Sequence, residues 1–214
     1  MKNNTTEIVC ILDRSGSMAG YEKDTVGGFN ATLAEQQAAE GRAYLSTILF
    51  NNSSEVIHDR VDIQEVKPMT LADYCVGGCT ALLDAIGGAI CHISKVHRYI
   101  RPEDVPAHTV FVITTDGMEN ASHCYDAKTV KQMIKEKEAA GWEFIFLAAN
   151  IDAVGTAENL GIRADRAANF VQDGDGFDAC YSVMNCAISA VRANKSLDDR
   201  AWRKRLDKKE EDET

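Results

Sequence analysis

The sequence predicts an α/β fold: a mostly parallel central sheet with helices on both faces and one antiparallel strand at an edge. Three observations predict it. Aliphatic runs at 8–12, 109–115 and 143–149 read as strands buried on both faces, the pattern of a parallel sheet. Longer stretches with apolar residues at helical spacing alternate with them, and right-handed crossovers then place helices on both sides of the sheet. Residues 44–50 and 55–61 are separated only by a turn at Asn51-Asn52-Ser53, too short for a parallel crossover, so this pair must be antiparallel.

Taken in order, the first strand runs into Asp13-Arg14-Ser15-Gly16-Ser17. A helix over 21–39 follows, with Val26, Phe29 and Leu33 on one face and Gly41 beyond its end. After the hairpin, residues 66–74 contain Pro68 and read as loop with a helical turn. Val76-Gly77-Gly78-Cys79-Thr80 is a glycine loop leading into a long helix over 80–99, with Leu83, Ile86, Ile90 and Ile93 inward. Residues 101–108 hold two of the three prolines and form a surface loop. The 109–115 strand ends in Asp116-Gly117. A helix over 125–140 turns Val130, Met133 and Ile134 inward. A strand over 143–149, a short helix over 153–160 ended by Gly161 and a last strand over 168–171 lead to a helix over 177–193. Asp173, Asp175 and Asp178 look like the start of a calcium loop, but Met184 stands where an EF-hand needs its glutamate. A turn with a helix cap at Asp175 is expected instead.

This organisation predicts one domain over 1–193. Residues 194–214 have few large apolar side chains and end in a charged run, which reads as a frayed or flexible tail. At 214 residues, 45% apolar and 26% charged, the chain can bury a sizeable core. Its net charge of −10 argues against nucleic acid and against an anionic membrane as partner. No leader pattern and no apolar run of membrane-spanning length are visible. Seven cysteines, an odd number scattered through strands and helices, point to a reduced, cytoplasmic chain. Cys10, Cys91, Cys180 and Cys186 are expected in the core, and His92 and His97 on a helix surface. Cys75, Cys79 and Cys91-His92 fit no standard zinc spacing.

In an open parallel sheet, ligands sit at the carboxyl ends of strands. There the sequence puts Asp13, Ser15 and Ser17 after the first strand, Thr80 after the glycine loop, and Asp116 after the 109–115 strand. Carboxylates and hydroxyls are hard donors, suited to Mg²⁺ or Mn²⁺ rather than to zinc. Taken singly, each has a plain structural reading. Ser15, Ser17 and Thr80 make good helix caps, Asp116-Gly117 a good turn, and Gly77-Gly78 a tight loop. Glu119 and Asn120 either rim the site or belong to a solvated loop.

Taken together, Asp13-x-Ser15-x-Ser17, Thr80 behind its glycine loop and Asp116 at a strand end resemble the von Willebrand factor A (vWA) family with its metal-ion-dependent adhesion site. The resemblance spans roughly residues 7–193 and holds in order and context at all five positions. It implies a three-layer, Rossmann-like αβα fold. It also implies Mg²⁺ or Mn²⁺ held by Ser15, Ser17 and Thr80, with Asp13 and Asp116 acting directly or through water. The open coordination position would take a carboxylate from a protein partner. Cytoplasmic members of that family work with metal-chelatase-like or moxR-type ATPases, or in stress-resistance operons such as tellurite resistance. The expected function is therefore metal-dependent protein binding without catalysis. Two alternatives remain: a scaffold within an ATPase-containing assembly, and a metal-dependent phosphatase of the haloacid dehalogenase type using Asp13. The latter needs a second aspartate two residues on as general acid, and Ser15 stands there.

Overall fold

The computed structural model describes residues 4–198 and 201–206. At its centre is β1 (Thr6–Asp13), with every residue buried. Flanking it are β2 (Ala43–Phe50), β3 (Ser54–Asp62), β4 (His108–Thr115), β5 (Trp142–Ala148) and β6 (Ala167–Asn169). They form one six-stranded sheet in the order β3-β2-β1-β4-β5-β6. All pairings are parallel except β2 with β3, the expected antiparallel edge. The helices are α1 (Glu22–Ala38), α2 (Leu82–Tyr99), α3 (Ala127–Ala139), α4 (Ala153–Leu160) and α5 (Gly174–Arg192).

The aliphatic strands show no polar alternation because both sheet faces are covered. Ile8, Cys10 and Leu12 join α1 and α5 in one core, whereas Val9 and Ile11 join α2, α3 and α4 in the other. The α1–α5 contact is close: a Cβ on Gly28 would lie 2.1 Å from the Tyr181 ring. It is also partly polar. Arg192 on α5 donates to the carbonyls of Gln36 (2.6 Å) and Gly41 (2.7 Å). This satisfies orphan carbonyls at the end of α1 and puts a cation at its negative pole.

Both sheet edges are blunted, as edges must be to avoid pairing with other chains. β3 carries register shifts against β2 and a left-handed Arg60 (φ 49°). At β6, Arg203 donates to the Ala167 carbonyl. Behind it, buried Arg166 is held by Glu143 (2.8 Å), Asp165 (2.8 Å) and Asp198 (2.7 Å). Among the described residues no helix is long and apolar enough to cross a membrane.

Several expectations change. Leu197, Trp202 and Leu206 are buried in the α1–α5 core, so the chain after 193 is packed at these positions rather than solvated. Few apolar residues suffice when they converge on one face, which a count of composition conceals. The acidic run at 207–214 lies outside the described residues. Cys91 and Cys186 are exposed, because each sits on the outer side of its helix, while Cys10 and Cys180 are buried as expected. The cap of α5 is Asp173, accepting from Gly176 N–H (2.6 Å), not Asp175. His97 leaves the surface to meet buried Glu7 (3.2 Å) and the edge of Trp142; exposed His92 pairs with Asp59.

Candidate metal centre

The strand order itself places the site. From β1 the chain runs outward to β2 and β3 on one side, then returns to β4 on the other. The carboxyl ends of β1 and β4 therefore flank a switch point, where open α/β sheets bind ligands. Asp13 ends β1 and Asp116 follows β4, and both are nearly fully buried, at 1% and 3% exposure.

Hydrogen bonds bring four of the five predicted residues into one chain. Asp13 Oδ1 accepts from Ser15 N–H (2.7 Å), and its Oδ2 from the Thr115 hydroxyl (2.6 Å). Ser17 Oγ lies 3.1 Å from Ser15 Oγ and donates to Asp116 Oδ1 (2.6 Å). Since Ser17 spends its one proton on Asp116, Ser15 is the donor within the serine pair. The fifth residue, Thr80, meets the others across Gly117. A Cβ placed on that glycine would lie 3.4 Å from Thr80 Oγ1 and 3.6 Å from Ser17 Oγ.

The loops are tied so that these oxygens converge. Gly16 N–H donates to the Gly78 carbonyl (3.0 Å), and Gly77 N–H to the Arg14 carbonyl (2.9 Å). Gly78 sits at φ 83°, and a Cβ there would collide with Asn52 Oδ1 at 2.0 Å, so only glycine lets the loop lie this close. Asn120 holds Thr80 from both sides, accepting from its N–H (2.9 Å) and donating to its carbonyl (3.0 Å). Glu119 accepts from Leu83 N–H (2.9 Å) at the start of α2 and from Ala121 and Ser122. The 117–126 loop is thus pinned by Glu119 from within and by Asp84 of α2, which accepts from His123, Cys124 and Tyr125 N–H, while Met118, Asn120 and His123 stay exposed.

The capping readings are not supported. Ser15 makes no side-chain cap bond to the short turn it precedes. The N-cap of α2 is Ala81 rather than Thr80, and the helix start is served by Glu119. The hydroxyls are therefore free of the helix duties that would explain them otherwise.

The donor set fits a hard divalent ion. Neighbouring oxygens around an octahedral Mg²⁺ at about 2.1 Å sit about 3.0 Å apart, close to the Ser15–Ser17 spacing of 3.1 Å. Burial raises the Asp13 pKa, opposed by the Thr115 and Ser15 hydrogen bonds, and neighbouring Asp116 pushes it up further. Two buried carboxylates side by side favour an added cation. Arg14, next in sequence, turns away to Glu55 (2.6 Å) and does not supply one. Among the described residues no three His, Cys, Asp or Glu side chains gather as a metal cluster. A site built mainly from hydroxyls is not a cluster of that kind.

Four supporting residues were not legible beforehand. Thr115 was visible only as a hydroxyl at a strand end. Buried Tyr74, read as loop, donates to the Asp13 carbonyl, and burial raises its phenol pKa. Gln172 donates to Asp116 Oδ2 (2.6 Å) and to the Ser17 carbonyl (3.2 Å), and accepts from Asn150. No local pattern links residues 116, 150 and 172.

No protein-family model and no curated protein sequence matches the chain. Solved structures do. The vWA protein from Catenulispora acidiphila aligns with TM-score 0.56 at 16% identity over 84% of this chain and 42% of its own. The vWF domain of the type V pili tip protein Mfa5 from Porphyromonas gingivalis gives 0.60 at 9% identity over 86% and 95%. The chain has the fold of a vWA domain. A third match is proximal thread matrix protein 1 from the mussel byssus, with TM-score 0.58 at 12% identity over 88% of this chain and 46% of that one. One structure of the mussel protein has zinc in its adhesion-site motif. The chain spans about half the length of the mussel and Catenulispora proteins it resembles. Within that fold, Asp13 ends the first strand, Ser15 and Ser17 lie on the loop after it, and Asp116 follows the fourth.

Proposed function

We propose that this chain is a metal-dependent protein-interaction module. Asp13, Ser15, Ser17, Thr80 and Asp116 hold one Mg²⁺ or Mn²⁺, and a partner protein adds a carboxylate. The observation that carries this is the linked oxygen set at the β1–β4 switch point, with Ser17 Oγ 3.1 Å from Ser15 Oγ and 2.6 Å from Asp116 Oδ1. Support also comes from the zinc-occupied motif of the structurally similar mussel protein. Mg²⁺ and Mn²⁺ suit hydroxyl and carboxylate oxygens better than zinc does. The ion's part is to supply positive charge at an open position. Ser15, Ser17 and Thr80 are neutral donors, so that charge is left largely undiminished for an anionic group. The seven cysteines, all free, support a reducing, cytoplasmic setting.

Titration calorimetry with Mn²⁺ tests the site. Wild type should bind one ion, and Asp116→Ala should bind at least about tenfold more weakly. Equal affinity in the two would sink the assignment.

The same reading argues against hydrolysis. Phosphomonoester turnover by an aspartate nucleophile needs an acid to protonate the leaving group. Ser15 occupies the expected place, and Asp13 has both oxygens engaged, by Ser15 N–H and the Thr115 hydroxyl. With p-nitrophenyl phosphate and Mg²⁺, wild type and Asp13→Asn should show the same background rate. Turnover that depends on metal and disappears in Asp13→Asn would show an enzyme instead.

A further inference from the structure

The oxygen set is held from a direction the five-residue motif does not include. The segment between β6 and α5 crosses the site and inserts Gln172. Its amide N–H₂ reaches two elements at once, Asp116 Oδ2 at 2.6 Å and the Ser17 carbonyl at 3.2 Å. Its own oxygen accepts from Asn150, which sits at φ 57° at the end of β5. Its backbone carbonyl accepts from the Tyr21 hydroxyl at 2.7 Å. Three other segments, the β1–α1 connection and the chain after β4 and after β5, therefore meet at one glutamine.

We infer that Gln172 is a positioning residue that holds the Asp116 carboxylate away from direct metal contact and so sets the charge left for a partner. This rests on the metal reading above. Asp116 has two oxygens. Oδ1 takes the Ser17 proton and Oδ2 takes the Gln172 proton, so both are occupied by protein donors. A carboxylate neutralised in this way is a weaker ligand, and one anchored at both oxygens cannot turn toward an ion. Without Gln172, Oδ2 is free to become a ligand. Each anionic oxygen that enters the coordination sphere lowers the positive charge available to an incoming carboxylate. The glutamine thus trades metal affinity for partner affinity.

The sign distinguishes this from simple support. Outer contacts that only hold a ligand in place weaken metal binding when removed. Gln172→Ala should instead bind Mn²⁺ on the order of tenfold more tightly, as expected for release of one hydrogen bond to a charged group. Water-proton relaxation should show one fewer water on Mn²⁺ than in wild type, and acetate should bind the loaded protein more weakly. Asn150→Gly, which tolerates the left-handed backbone, should shift all three readings in the same direction by less. Unchanged or weaker Mn²⁺ binding, or an unchanged water count, overturns the inference while the metal site stands. Failure of wild type to bind Mn²⁺ overturns the site and the inference together. An arm without metal tests the contact itself. In metal-free protein the Gln172 side-chain amide resonances, identified by their absence in Gln172→Ala, should move in Asp116→Asn. Resonances that stay in place show that the contact is not made.

Discussion

Thr80→Ala is expected to abolish metal-dependent capture of partners while leaving the fold intact. The two effects separate because the Thr80 backbone and side chain have different tasks. The backbone is held by Asn120 through both its N–H and its carbonyl, and neither bond needs the hydroxyl. α2 does not depend on it either, since its N-cap is Ala81 and Glu119 serves Leu83 N–H. The fold therefore loses little beyond a buried methyl, worth about 0.8 kcal/mol. On the proposed metal site, the variant removes one neutral donor, the one that faces Ser17 across Gly117. Capture from lysate on immobilised wild type and Thr80→Ala, each with Mg²⁺ and with EDTA, reads the binding; thermal melts read the fold. Partners that bind equally to wild type in EDTA and to the folded variant would show that recognition runs through another surface.

Trp202→Ala should destabilise the protein by about 3–5 kcal/mol, the range for removing a buried tryptophan. Trp202 is 4% exposed and packs in one core with Leu197, Leu206 and α5 residues such as Ile188. At about 2–4 °C per kcal/mol for a chain of this size, the melting temperature should fall by roughly 10 °C. Trp202→Phe should cost far less. Among the described residues the indole N–H has no acceptor, so phenylalanine removes an unsatisfied donor while keeping most of the apolar contact. A Trp202→Ala melt within a degree of wild type would mean that the C-terminal segment does not pack on α5 in solution. The predicted order, Ala well below Phe and Phe near wild type, also separates lost packing from a lost hydrogen bond.

The elements that recur with a strong period were readable from the residues alone. Aliphatic runs such as 109–115 can only be strands buried on both faces, and the three-residue turn after Phe50 forces an antiparallel edge. The five oxygen residues were singled out as a set by their resemblance to the vWA motif; singly, each read equally well as a cap or a turn. What the sequence could not show depends on contacts between segments far apart in the chain. Trp202 lies in a segment that read as a solvated tail, yet it is buried against the α1–α5 core. Cys91 and Cys186 were given core positions by their type, but the helix face, set by neighbours such as Ile90 and Ala187, turns them outward. Glu119 and Asn120 were ambiguous until the start of α2 and the Thr80 backbone supplied donors and acceptors for them. Gln172 lies 56 residues from Asp116 and 155 from Ser17 in the chain. Its role exists only because the β6–α5 segment returns over the carboxyl ends of β1 and β4. Local periodicity determined the strands and helices, and a motif resemblance pointed to the five oxygen residues; the tertiary structure decided which other side chains surround them, because a hydrogen bond between distant segments leaves no pattern along the chain.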